Sequence, residues 1–161
     1  MRFLTLASVI AGACVHVSGG VASTSSSGMQ SVQRAAGCTL RIHVDGLRNS
    51  NGVVGAAIFK SADGWPENAS KSFRRWPTPI AGGAHEATAV MDNLLPGDYG
   101  VVAIHDENKN QKLDRNFAGI PKEGFGFANN PRVRFGAPSF SAAIVHVTCP
   151  VTETNIHIIY K

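Results

Sequence analysis

The chain has 161 residues and a formal net charge of +4, from 15 Lys and Arg against 11 Asp and Glu; only 16% of its residues are charged, and it contains 17 Gly and 8 Pro. That length fits one domain, and sparse charge with many glycines suits short strands and tight turns rather than long surface helices. The basic residues are scattered, apart from Arg74-Arg75 and the Arg132/Arg134 pair. No dense basic stripe of the kind a nucleic-acid binder carries is present, so nucleic acid is not an expected partner.

The first residues read as an export signal. Arg2 supplies the positive start, Phe3 to Val15 form an apolar run, and small residues follow to Ala22 and Ser23. This predicts a signal peptide over 1–22, cleaved after Ala22, and a Ser- and Gly-rich spacer over 23–36. The run is too short for a membrane span, and no later segment is apolar over the ~20 residues that one requires. Ala11-Gly12-Ala13-Cys14 loosely matches a lipoprotein box, which leaves a lipid anchor at Cys14 as the less favoured alternative. The expected location is therefore periplasmic or extracellular. In such an oxidising compartment Cys38 and Cys149, each flanking a strand-like run, form a disulfide in preference to two buried free thiols.

From Cys38 onward the pattern alternates. Leu40, Ile42 and Val44 take one face against Thr39, Arg41 and His43, the mark of a half-buried strand. Asp45-Gly46 and Asn51-Gly52 are turn signals, and Val53 to Phe59 is a second strand. Residues 67–83 are ambiguous: Glu67 to Trp76 suits a short helix, and prolines end any regular element. Glu86 to Val90 alternates again. Leu95-Pro96-Gly97-Asp98-Tyr99 forms a corner into the strand Tyr99 to His105, and a corner tyrosine bonds its hydroxyl back to the corner backbone. Residues 106–138 form one long connection. Its Phe117, Phe125 and Phe127 predict that it is ordered and packed on the domain. Ser139 to Val147 and Asn155 to Tyr160 complete the set, with Ile156, Ile158 and Tyr160 on one face. The reading is all-β: an antiparallel β-sandwich over 37–161 with about seven strands, immunoglobulin- or transthyretin-like, and one long ordered loop.

The chemistry concentrates in His105-Asp106-Glu107-Asn108-Lys109-Asn110-Gln111-Lys112-Leu113-Asp114. Asp106, Asn108, Asn110 and Asp114 fall at relative positions 1, 3, 5 and 9, the spacing at which an EF-hand-type loop turns oxygens toward a calcium ion; the carbonyl of Lys112 supplies position 7. Gln111 stands where such a loop prefers Gly, and Phe117 where it has a bidentate Glu, so His105, Asn116 and Glu123 are candidates for additional ligands. The competing reading is a polar turn in which Asp and Asn bond their own backbone. A catalytic alternative joins Asp106, Asp114 and Glu123 as acid and base, with His105 as proton shuttle. No nucleophile elbow, zinc-binding helix or phosphate loop accompanies it. Trp65 and Trp76 flank prolines and are expected to pack beneath the loop. Arg74-Arg75 reads as a solvated face, and Arg132 and Arg134 share one side of a short extended stretch that suits an anion.

The run from His105 to Asp114, then Phe117 through Gly124-Phe-Gly-Phe-Ala-Asn-Asn130, then Pro138-Ser-Phe140, resembles the bacterial domain of unknown function numbered 2141. Gly52 to Phe59, Gly64-Trp-Pro66 and Leu95 to Tyr99 fit the same pattern, so the resemblance covers roughly 38–160. It implies an exported small β-sandwich of unestablished activity. It also implies that Lys109 and Gln111 stand where relatives carry glycine in the Asp-rich turn. The function expected is a non-enzymatic envelope binding or structural module with an unknown ligand or partner, its 106–114 loop holding calcium. The alternative is a small envelope hydrolase using the carboxylates of the same loop.

Overall fold

The structure is a computed structural model and describes residues 37–161; the predicted signal, spacer and Cys14 lie outside the described residues. Eight strands follow in order: β1 (Cys38–Asp45), β2 (Val53–Phe59), β3 (Arg74–Pro79), β4 (Ala87–Leu94), β5 (Gly97–Asp106), β6 (Gly124–Phe127), β7 (Ile144–Val147) and β8 (Val151–His157). Two short 3-10 turns, Ala69–Lys71 and Phe140–Ala143, are the helical pieces among the described residues. None of the helices among these residues is long and apolar enough to cross a membrane.

The strands form two sheets. One has the order β4-β1-β8. The other runs β3-β2-β5, with β6 and β7 sharing the far edge of β5. β7 pairs with Gly97–Gly100 and β6 with Val102–His105. The alternation read in β1 sets the packing: Leu40, Ile42 and Val44 are buried, and they meet Val54, Ala56 and Ile58 of β2 together with Tyr99, Val101 and Ala103 of β5 in one core. Each such aliphatic side chain contributes about 1.5–3 kcal/mol by leaving water. The corner residue behaves as its position requires, with the Tyr99 hydroxyl donating to the Leu95 carbonyl at 2.9 Å.

One pairing differs from an all-antiparallel sheet: β1 and β8 run parallel, with Thr39 opposite Val151 and Val44 opposite Ile156. The chain leaves β7 in the larger sheet and crosses to the smaller one before β8. It therefore enters β8 from the same end as β1. A disulfide joins Cys38 and Cys149 at that shared end.

Two strands were hidden in the sequence. β3 contains Pro77 and Pro79, which end a regular element in most settings. Here β3 is the sheet edge and its one ladder is with β2, so prolines are tolerated. β6 reads Gly-Phe-Gly-Phe in the middle of the polar connection. Its glycines permit close approach: a Cβ on Gly124 would stand 2.6 Å from the Tyr160 ring. The chain end follows β6 closely enough for Phe125 and Ile159 to bridge.

The larger sheet is covered on its outer face as well. Phe59, Val102, Phe125 and Phe127 form a second apolar cluster, capped by Trp65 and Phe140. Trp65 lies edge-on to Phe59 and Phe140, and its Nε1 donates to the Pro138 carbonyl at 2.9 Å. The long connection is thus packed on the sandwich through Phe125 and Phe127, whereas Phe117, expected to pack with them, is fully exposed. Trp76 departs from the expected packing, because on the edge strand it stays 51% exposed.

Candidate functional site

β5 carries the chain directly into the polar turn. Asp106, its last residue, is 1% exposed, so its carboxylate must find donors inside the protein. It does so in the turn itself, accepting from the backbone N–H of Asn110 at 3.0 Å and of Gln111 at 2.7 Å. Asn108 Oδ1 also accepts from the Asn110 N–H at 3.0 Å, and Asn110 Oδ1 accepts from the Lys112 N–H at 2.8 Å. The Asp114 carboxylate receives both side-chain amides, Asn108 Nδ2 at 2.7 Å and Asn110 Nδ2 at 2.9 Å. The tertiary structure therefore draws together the four side chains singled out by spacing. Two carboxylates and two amides suit a hard cation chemically, and both amide oxygens here accept from backbone N–H groups. Among the described residues no group of three or more His, Cys, Asp or Glu is placed to hold a metal ion. The backbone of the turn is left-handed at Lys109 (φ 61°) and Gln111 (φ 63°), the two positions where the resemblance implies glycine.

The additional candidates take separate places. Glu123, 4% exposed, braces the turn from behind: its carboxylate accepts from the N–H of Glu107 at 2.9 Å and of Asp114 at 3.1 Å. Asn116 closes its own small turn, accepting from the N–H groups of Ala118 and Ile120. His105 is fully buried and faces away from the turn. Its Nε2 lies 2.8 Å from the Asn51 carbonyl, which can only accept, so Nε2 donates. Its Nδ1 lies 2.7 Å from the Tyr160 hydroxyl. That hydroxyl in turn accepts from the Arg48 N–H at 3.0 Å. Nothing in this arrangement favours the hydrolase: Asp106 and Glu123 bind backbone N–H groups, and His105 is held between a carbonyl and a phenol.

Residues that the sequence did not single out secure the turn. Arg48 forms an ion pair with Glu107, with Nε 3.0 Å from Oε1, and Asn49 Nδ2 donates to the same carboxylate at 2.6 Å. The Arg48 hydrogen bond holds the Glu107 carboxyl below its ordinary range, and the same bond raises the Arg48 guanidinium. Burial raises the Tyr160 phenol. Gly52 lets the turn before β2 approach: it has φ +74°, and a Cβ there would collide with the Asp106 carbonyl. Arg48 lies 59 residues from Glu107 and 112 from Tyr160 in sequence, so no local pattern could signal this group.

Beside the turn lies a cleft of about 870 Å³ on the outer face of the larger sheet. Val53, Gly55, Ala57, Ile104 and Phe125 contribute its floor. Gly55 and Ala57 alternate along β2 on this face, and their small side chains leave depth where larger residues would fill it. Lys112 and Leu113 of the polar turn form one wall. The segment bridged at Arg115 and Pro121 forms a second, and Val133 to Ala137 a third. The extended stretch expected at Arg132 and Arg134 is irregular, and Arg134 lines this cleft. Arg75, read as solvated, lines it too.

Residues 42–155 match the model of a family described as an uncharacterized protein conserved in bacteria (DUF2141). Comparison with curated proteins and with solved structures gives no match. The family match spans most of the strands and the whole of the polar turn, and the chain belongs to this family of uncharacterised bacterial proteins.

Proposed function

We propose that the protein is an exported, non-enzymatic binding module in which a calcium-held turn forms one wall of a ligand cleft. The observation that carries this reading is the meeting of the Asn108 and Asn110 amides on the Asp114 carboxylate, with the Asp106 carboxylate on the Asn110 backbone N–H of the same turn, whose next residues line the cleft. With two formal charges in the set, affinity belongs in the ~0.1–1 mM range of extracellular modules. Such a site fills outside the cytosol, and the Cys38–Cys149 disulfide supports an oxidising location.

The test is thermal unfolding of the mature protein in millimolar calcium and in chelator. At ~1 mM calcium and a dissociation constant of ~0.1 mM, linkage adds about 1.4 kcal/mol. That corresponds to a melting shift of roughly 4–8 °C. An unchanged melting temperature would mean that the turn is held by its own hydrogen bonds alone. Export is tested by the intact mass of protein from the envelope fraction, where a chain still beginning at Met1 would count against it.

A further inference from the structure

We propose that the cleft binds a single-chain anionic amphiphile, a long-chain carboxylate, with its hydrocarbon on the floor of β2 and its headgroup at a basic rim. This deepens the reading of the protein as a binding module and rests on it.

The floor is apolar because the outer face of the larger sheet continues past the aromatic cap. Val53, Ala57, Ile104 and Phe125 face the opening there, with Gly55 between them, and Leu113 and Val133 extend the apolar surface onto the walls. Apolar surface of this kind contributes binding energy in proportion to the chain length it removes from water. At about 870 Å³ the cleft is within the range of small-molecule sites, ~300–1,000 Å³. Around it stand unusually exposed apolar side chains: Phe135 at 99%, Trp76 at 51% and Ile120 at 45%. Exposed apolar groups gathered about one opening mark an interaction site rather than ordinary surface.

Charge selects the ligand class. The cleft is lined by Arg75, Lys112, Arg115, Arg134 and Lys161, against Glu67 and Asp106. Arg115 is paired with Glu67 at 2.7 Å, and the buried Asp106 carboxylate is held by backbone N–H groups. Among the described residues Arg75, Lys112, Arg134 and Lys161 form no ion pair. Four cations without an ion-pair partner, Lys161 among them with its Nζ donating to the Val133 carbonyl at 3.0 Å, stand over an apolar floor and complement one negative headgroup on one hydrocarbon chain. A neutral chain would leave the rim without a partner, and a small anion would leave the floor wet.

The experiment is calorimetric titration of the mature protein with monomeric dodecanoate, paired with hexanoate, dodecanol and phosphatidylglycerol vesicles. Dodecanoate is expected to bind, and shortening the chain by two methylenes to weaken it roughly tenfold. Hexanoate is expected not to bind measurably, and dodecanol to bind at least about tenfold more weakly than dodecanoate. Charge reversal in Arg75→Glu/Arg134→Glu should remove the preference for dodecanoate over dodecanol. Ala57→Leu, and the bulkier Ala57→Trp where it folds, should abolish binding with the Trp65 environment intact by near-ultraviolet circular dichroism. Equal binding of dodecanol would overturn the anionic headgroup and leave the binding-module reading standing. Binding to vesicles without binding to monomeric dodecanoate would overturn the proposal in favour of a membrane-docking surface. No binding by any chain would overturn both the ligand class and the cleft's role, whereas the calcium-dependent melting shift tests the turn independently.

Discussion

The Tyr160 hydroxyl sits 2.7 Å from His105 Nδ1 and ties the end of the chain to the middle of the larger sheet. The hydroxyl shares a hydrogen bond with the imidazole and accepts from the Arg48 N–H, so one oxygen serves two groups. Tyr160→Phe deletes the shared hydroxyl and leaves a fully buried ring nitrogen without its partner. A loss of about 1–3 kcal/mol is expected in urea unfolding. A change within about 0.5 kcal/mol, the scale of ordinary surface substitutions, would show that the hydroxyl contributes little.

Glu107 couples this region to pH. Its folded pKa is lowered, chiefly by the Arg48 hydrogen bond, so its stabilising contribution is fully present above the unfolded value near 4.5 and disappears as pH falls through the folded value. Glu107→Gln should cost about 1–2 kcal/mol at pH 7, a figure kept low because Arg48 is half exposed. The gap between variant and wild type should narrow as unfolding is repeated from pH 5 down to pH 3. A gap independent of pH would show that the charge on Glu107 contributes nothing.

The calcium shift has its own residue-level control. Asp114→Asn deletes one of the two formal charges in the turn at nearly constant volume and should remove most of the shift in melting temperature. Asp63→Asn lies outside the turn, where the carboxylate pairs with Lys71, and should leave the shift in place. Equal shifts in wild type and Asp114→Asn would place the ion elsewhere.

Left-handed backbone at Lys109 and Gln111 reverses the usual effect of glycine. A side chain in that conformation costs about 1–2 kcal/mol, and the extra unfolded-state freedom of glycine offsets roughly 0.5–1 kcal/mol of the relief. Lys109→Gly/Gln111→Gly should therefore range from neutral to about 1 kcal/mol more stable per site in chelator. Arg41→Gly, in extended β1, should lose about 1 kcal/mol by the same measurement. Destabilisation of the double variant comparable to Arg41→Gly would contradict this account.

Cys38 and Cys149 are 111 residues apart and join the starts of two parallel strands. Closing a loop of that length removes unfolded-state entropy worth about 4–5 kcal/mol as an upper figure. Cys38→Ala/Cys149→Ala should lose about 2–5 kcal/mol in denaturant unfolding. Thiol labelling of unfolded, unreduced wild type should find neither cysteine free, and two labelled thiols would rule the bridge out.

The sequence by itself determined the parts of this protein that depend on neighbours in the chain. Alternation at Leu40, Ile42 and Val44 marked β1, because side-chain direction in a strand repeats every two residues. The corner at Leu95 to Tyr99 and the oxygen spacing from Asp106 to Asp114 were legible for the same reason: each is closed by bonds within a few residues. The resemblance, too, was carried by runs of contiguous residues. Only the tertiary structure decided the rest. Pro77 and Pro79 lie in a strand because β3 happens to be an edge, and Gly124 lies in one because Ile158 and Tyr160 press against it. The parallel pairing of β1 with β8 follows from how the chain crosses between sheets after Val147. The Arg48, Glu107 and Tyr160 group and the cleft floor join residues far apart in sequence, and such long-range contacts leave no periodic trace along the chain.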